Sequence, residues 1–284
     1  MTSKYTVNQL KDIANQVRRD IVRMVHAVQS GHPGGSLGCT DLLVALYFDV
    51  MDYKAKPFNM KGEDEDIFIL SNGHISPVLY STMARAGIFD VAELSTFRKL
   101  NSRLQGHPAT HEHLEGVRIA SGSLGQGLSV ATGLALSKRM NQDPKTVFCL
   151  MGDGELQEGQ NWEAIMFAAH NKVDNLIAFV DFNGQQIDGS TKNIMGFTEM
   201  KNKFEAFGWQ TLDMDGNNMA DVLSTLMQAK SMLGNGKPVV VKMKTEMGYG
   251  VDFMMGSHEW HGIAPNDEQL ANALAQLPEA IGDY

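Results

Sequence analysis

The chain has 284 residues, long enough for a sizeable core, and its 24 Lys and Arg against 33 Asp and Glu leave a net charge of −9, which argues against a nucleic-acid partner. Hydrophobic residues at 43% exclude disorder, while no apolar run approaches the roughly 20 residues needed to cross a bilayer, which excludes a membrane-spanning helix. Only Cys39 and Cys149 are present, without disulfide or zinc spacing, and the polar start carries no signal-peptide run, so the sequence reads as a soluble cytoplasmic protein.

In chain order, Leu10, Ile13, Ala14, Val17, Ile21, Met24, Val25 and Val28 keep helical spacing behind a Thr6–Gln9 capping box, and Gly31 and Pro33 end that helix. A second apolar helix covers residues 40–50, followed by a polar connection over 54–64. Five short, nearly all-apolar runs at 66–70, 146–151, 176–182, 209–214 and 238–243 have the composition of strands buried on both faces. Helical stretches near 124–140, 158–171, 219–232 and 266–277 lie among them. Strands alternating with helices predict an α/β fold, a parallel sheet with helices on both faces. With no internal repeat, low-complexity tract or Ser/Pro linker, residues 1–284 read as a single domain.

In such sheets ligands sit at the carboxyl ends of strands. The second apolar run ends at Met151, where Gly152-Asp153-Gly154 opens a polar loop whose glycines let a backbone approach a ligand. Gln157 stands where a dinucleotide fingerprint needs its third Gly, and no P-loop Lys is present, so the Asp between two glycines suits a cation shared with an anionic phosphate. After 28 further residues comes Asn183, in a loop that follows another apolar strand. Asp153, the Asn183 amide oxygen and a nearby backbone carbonyl make an all-oxygen set suited to Mg²⁺ or Ca²⁺. Four of the nine histidines, His32, His74, His107 and His261, adjoin glycines in loops, where imidazoles are placed for proton transfer near neutral pH. A third Gly-rich element, residues 120–127, opens a small-residue helix and reads first as close helix packing.

Together these residues resemble a known family. Gly-Asp-Gly, 28 residues, then Asn resembles the metal–diphosphate motif of thiamine-diphosphate enzymes. Ser30-Gly31-His32-Pro33-Gly34-Gly35, Leu70-Ser71-Asn72-Gly73-His74, Gly106-His107-Pro108, Gly125-Gln126-Gly127 and Trp260-His261-Gly262 resemble transketolases specifically, in the family's order from about residue 26 to 265. The resemblance implies the diphosphate-binding (PP) domain fold, thiamine diphosphate as cofactor, and transfer of a two-carbon ketol unit from a ketose (phosphate) to an aldose (phosphate). It implies Asp153, Asn183 and the Gln185 carbonyl as metal ligands, with Gly152 and Gly154 beside the diphosphate. His74 and His261 would touch the diphosphate and line the reaction site, and His32 and His107 would orient substrate hydroxyls. Gly122, Ser123 and Leu124 would approach the aminopyrimidine, Ile187 and Met247 would wall the thiazolium, and Glu158 would couple two active sites at a subunit contact. Ser123, where the family has Pro, Gly35-Ser36, where it has a small residue then Pro, and Met247, where it commonly has Ile, depart from the pattern.

Full-length transketolases add pyrimidine-binding and C-terminal domains beyond the point where this chain ends, and its polar end shows no truncated strand. The expectation is therefore a complete N-terminal subunit of a split enzyme, acting as α2β2 with a separate C-terminal subunit. The alternatives are a subunit of another thiamine-diphosphate enzyme, or a non-catalytic cofactor-binding paralogue that regulates a full-length one.

Overall fold

The computed structural model describes residues 4–196 and 198–284; residues 1–3 and 197 of the expected single domain lie outside the described residues. Helix α1 (Val7–Val28) begins with the expected capping box: the Thr6 hydroxyl accepts from the Gln9 N–H and the Gln9 side chain accepts from the Thr6 N–H. It ends because Gln29 turns left-handed, at φ 48°. Pro33, expected to terminate that helix, instead opens α2 (Pro33–Gly38), since its fixed φ and missing N–H suit a first helical position. The expected 40–50 helix is composite: α3 (Thr40–Ala45) runs into a π-helical turn, Leu46–Val50.

The remaining elements follow as β1 (Ile67–Leu70), α4 (Ser76–Arg85), α5 (Gly127–Met140), β2 (Val147–Gly152), α6 (Gly159–His170) and β3 (Leu176–Phe182). A small hairpin, β4 (Gln185–Gln186) and β5 (Gly189–Ser190), precedes α7 (Thr191–Met195) and α8 (Met200–Ala206). Then come β6 (Gln210–Asp215), α9 (Met219–Ser231), β7 (Val239–Lys244) and α10 (Asp267–Gln276).

Five strands form one parallel sheet in the order β1-β2-β3-β7-β6. Alternate residues along β1, β2, β3 and β7 feed two separate cores. Phe68, Leu70, Phe148, Leu150, Ile177, Phe179, Val239 and Val241 pack with apolar residues of α1, α3, α4 and α9. Ile67, Ile69, Val147, Cys149, Met151, Leu176, Ala178 and Val180 pack with those of α5, α6 and α8. This two-sided burial is why the strands read as unbroken apolar runs, and it gives the expected architecture of helices on both faces.

Buried charge locks the helical layer. Asp20 on α1 accepts two hydrogen bonds from the Arg85 guanidinium and one from the Ser81 hydroxyl, each 2.8 Å, fastening α1 to α4. Arg18 pairs with Asp41 and so fastens α1 to α3. With this frame fixed, β1, β2 and β3 end side by side, and their loops meet at one edge of the sheet.

Candidate active site

The loop after β2 and the loop after β3 are joined through one carboxylate. Asp153, 2% exposed, accepts the Gly154 N–H at one oxygen and the Gly184 N–H at the other, both at 2.8 Å. Asn183 donates its amide to Asp181 and accepts the Gln185 N–H, again at 2.8 Å each. The expected pairing of Asp153 with Asn183 across 28 residues is therefore a direct spatial neighbourhood. Burial, then the nearby Asp181 carboxylate, push the Asp153 carboxyl up to about 7, against the opposing pull of the backbone N–H groups of Gly184, Gly154 and Asp153 itself. Asp181 is also pushed up by burial, although Thr245, Cys39 and Asn183 hydrogen-bond it. Two adjacent buried carboxyls without a cationic side chain among their hydrogen-bond partners make an electrostatic environment that favours a bound cation.

A cavity of about 250 Å³ opens above this pair. Its wall includes His74, Leu124, Gly152, Asp153, Gly154, Glu158, Asn183, Gln185, Ile187, Met247 and His261, residues drawn from the loops after β1, β2, β3 and β7 and the loop before α5. Ile187 is 64% exposed at the β4–β5 tip, whereas Met247 is buried beneath α2. The Met247 position depends on Gly34: a Cβ there would stand 2.6 Å from the Met247 Cγ and 2.7 Å from the Trp260 carbonyl oxygen. Only Gly lets α2 come this close to the turn that carries His261.

His32 packs against the lining residues His74 and His261, and His107 and Gly122 pack beside it. The His32 ring lies 5.2 Å from that of His74, 5.6 Å from His261 and 6.1 Å from His107, and His74 and His261 are 4.9 Å apart. The structure thus gathers the four histidines that the sequence scatters between positions 32 and 261. Burial lowers all four, most specifically His32, to about 4, with His261, the Arg98 guanidinium and His107 adding repulsion. At neutral pH each is an uncharged imidazole with one donor and one acceptor nitrogen. Gly122, at φ 124°, packs on the His107 ring, and a Cβ there would fall 2.6 Å from the ring's Cδ2.

Sequence reasoning passed over Asn72, Glu155, Gln157, Asp181 and Gln186, all of which line the cavity. Asn72 and Asp181 lie inside segments already singled out, so a strand-end reading carried further would have included them. Glu155 carried no such signal, because an acidic residue after Gly reads as an exposed turn.

The residues fit thiamine diphosphate with a divalent metal. The buried Asn72 Oδ1, Ser121 Oγ and His32 Nδ1 have no hydrogen-bond partner among the described residues, which is uncommon for buried polar atoms and points to a polar ligand at this place. Asp153 and Asn183 present hard oxygen donors. Among the described residues no group of three or more His, Cys, Asp and Glu side chains is arranged to hold a metal.

Comparison with known proteins agrees with this geometry. Residues 9–278 match the family model described as transketolase, thiamine diphosphate binding domain. The chain is 37% identical over 268 residues to SqwG, a 6-deoxy-6-sulfo-D-fructose transketolase subunit of Clostridium sp. (strain MSTE9), covering 94% of this chain and 96% of that protein. It is 36% identical over 264 residues to one subunit of the apulose-4-phosphate transketolase of Phocaeicola vulgatus, covering 93% and 92%. Human transketolase is 36% identical over 270 residues, but the match spans only 41% of its length. The solved transketolase of Campylobacter jejuni superposes with a TM-score of 0.88 at 33% identity, over 96% of this chain and 43% of that one.

Proposed function

The chain belongs to the transketolase thiamine-diphosphate-binding family, and from that premise we propose that it is the N-terminal subunit of a split transketolase, moving a two-carbon ketol unit from a ketose or ketose phosphate to an aldose or aldose phosphate. The observation that carries this reading is the convergence of four neutral histidines on the Asp153–Asn183 cavity. Polyol substrates present several hydroxyls and one carbonyl, and uncharged imidazoles both donate to and accept from such groups.

When bound, thiamine diphosphate supplies the nucleophilic carbon that takes up and hands on the two-carbon unit. Asp153, the Asn183 side chain and the Gln185 carbonyl hold Mg²⁺ or Ca²⁺, and Gly152 and Gly154 leave room for the diphosphate. His74 and His261, 4.9 Å apart, donate to diphosphate or carbonyl oxygens. His32 and His107, whose ring centroids lie 6.1 Å apart, orient substrate hydroxyls and assist proton transfers at the substrate's oxygens; held uncharged near pH 7, each offers one donor and one acceptor nitrogen. Leu124, Ile187 and Met247 form apolar walls, Gly122 and Ser123 border the aminopyrimidine, and Glu158 meets the neighbouring protomer.

A separate chain supplies the pyrimidine-binding and C-terminal domains, and residues 1–284 act as one diphosphate-binding domain in a cytoplasmic α2β2 assembly. Two things support a partner. The relatives matched over 92% or more of their length are named as subunits, whereas single-chain transketolases are matched over about two-fifths. The cavity of about 250 Å³ also falls below the roughly 300–1,000 Å³ of complete small-molecule sites, as expected of a site that holds one end of its ligand. Native purification followed by intact-mass measurement tests the assembly: a stoichiometric second chain supports it, and a lone monomer or homodimer sinks it. In that complex, Asp153→Ala should abolish metal-dependent binding of thiamine diphosphate; unchanged affinity in calorimetry would remove Asp153 from the metal set.

A further inference from the structure

Glu155 is a buried acidic residue, 2% exposed, whose carboxylate hydrogen-bonds no cationic side chain among the described residues. It instead collects neutral donors from two other loops and from the end of its own strand, β2. One oxygen accepts the Ser71 hydroxyl from the loop after β1 and the Gly125 N–H, at 2.8 Å, from the loop before α5. The other accepts the Gly152 N–H at 3.1 Å, at the end of β2. Ser71 extends the network, because its oxygen also accepts the Gly127 N–H at 3.1 Å, at the first residue of α5. The backbone carbonyl of Glu155 accepts the Asn161 amide at 2.7 Å, which anchors the carboxylate's own turn to α6.

These three segments carry Asn72 and His74, Leu124, and Gly152-Asp153-Gly154, three sectors of the cavity wall. The close fit is visible at Gly127, where a Cβ would stand 2.3 Å from the Ser71 side chain. A carboxylate is the side chain suited to this position: it has two acceptor oxygens and no donor, so it can receive all three donors at once. Burying it without a counter-charge is costly, and that cost is offset only if every donor stays in register. The network therefore enforces one relative placement of the loops.

We propose that Glu155 is a positioning residue for cofactor binding, fastening the loops that line the Asp153–Asn183 cavity in one relative placement. This rests on the cofactor reading under Proposed function, and the test separates the two. In Glu155→Gln one end of the side chain becomes an NH₂ group facing a backbone N–H, so one of the three segments loses its fastening. In the complex with the C-terminal chain, the Kd for thiamine diphosphate with Mg²⁺ should rise about tenfold or more, the range for a residue supporting direct ligands. Hydrogen exchange at the Gly125, Gly127 and Gly152 amides should quicken while the rest of β2 and α6 stays protected. Ser71→Ala, a milder change, should loosen Gly127 and weaken binding less.

Unchanged affinity together with unchanged exchange in Glu155→Gln overturns the inference. So does exchange that quickens throughout β2 and α6, since that marks general destabilisation. A wild-type complex that takes up no thiamine diphosphate removes the cofactor reading instead, and the exchange measurement still decides whether Glu155 fastens the loops.

Discussion

The histidine cluster makes stability depend on pH in a predictable window. Burial is the main reason that His32 falls to about 4, from the ordinary 6.5, and its charged and imidazole neighbours add to it. The neighbours matter because protonated His32 and His261 rings 5.6 Å apart would repel by roughly 3 kcal/mol at an effective dielectric near 20. Between pH 4 and 6.5 the unfolded chain binds a proton at His32 that the folded chain refuses. Stability therefore rises with pH across that interval and is flat, as far as this group is concerned, above and below it. At about 1.4 kcal/mol per pH unit the full effect is about 3 kcal/mol, and screening by solvent at this partly exposed ring reduces it to about 2 kcal/mol. Urea unfolding of the wild type and His32→Asn at pH 7.5 and 4.5 reads this directly. The wild type should lose about 2 kcal/mol more than the variant on acidification. Equal losses would mean that the folded protein accommodates the proton, and the electrostatic account of the cluster would be wrong.

Two other substitutions follow from the packing. Gly122→Ala puts a Cβ against His107 at a backbone φ of 124°, costing roughly 1–3 kcal/mol in strain, and should lower kcat/KM for ketol transfer more than it lowers Tm. A Tm loss with kcat/KM intact would show that His107 needs no fixed ring position. Asp20→Ala strands the buried Arg85 guanidinium and should cost about 3–5 kcal/mol in denaturant unfolding, whereas a loss under about 1 kcal/mol would mean that water reaches the site.

The parallel sheet was legible because β1, β2, β3 and β7 are buried on both faces and contain few polar residues to blur the runs. α4 was not, and for a related reason. Nine of its ten residues are buried, including Ser76, Pro77, Tyr80, Ser81 and Thr82, so no polar face sets off an apolar stripe. Pro33 misled because a proline past a helix reads as a stop, although the same ring geometry suits a start. At the site, Asp153, Asn183 and the four loop histidines stood out by their glycine settings, a local signal that survives in one dimension. Glu155 did not, since what defines it is three donors at positions 71, 125 and 152, and only folding brings them together. For the same reason the sequence could not show that His74 and His261 line one cavity with His32 packed against both.

The size of the cavity has a thermodynamic consequence. A pocket that encloses one end of a ligand leaves the other end to whatever covers the mouth, so in a split enzyme the cofactor and the second chain occupy a single linked equilibrium. Whatever factor the partner adds to the binding of cofactor, the cofactor must return to the binding of the partner. In the assembly proposed above, depleting thiamine diphosphate would then loosen the two chains as well as stop turnover, and the amount of active enzyme would track cofactor and partner together.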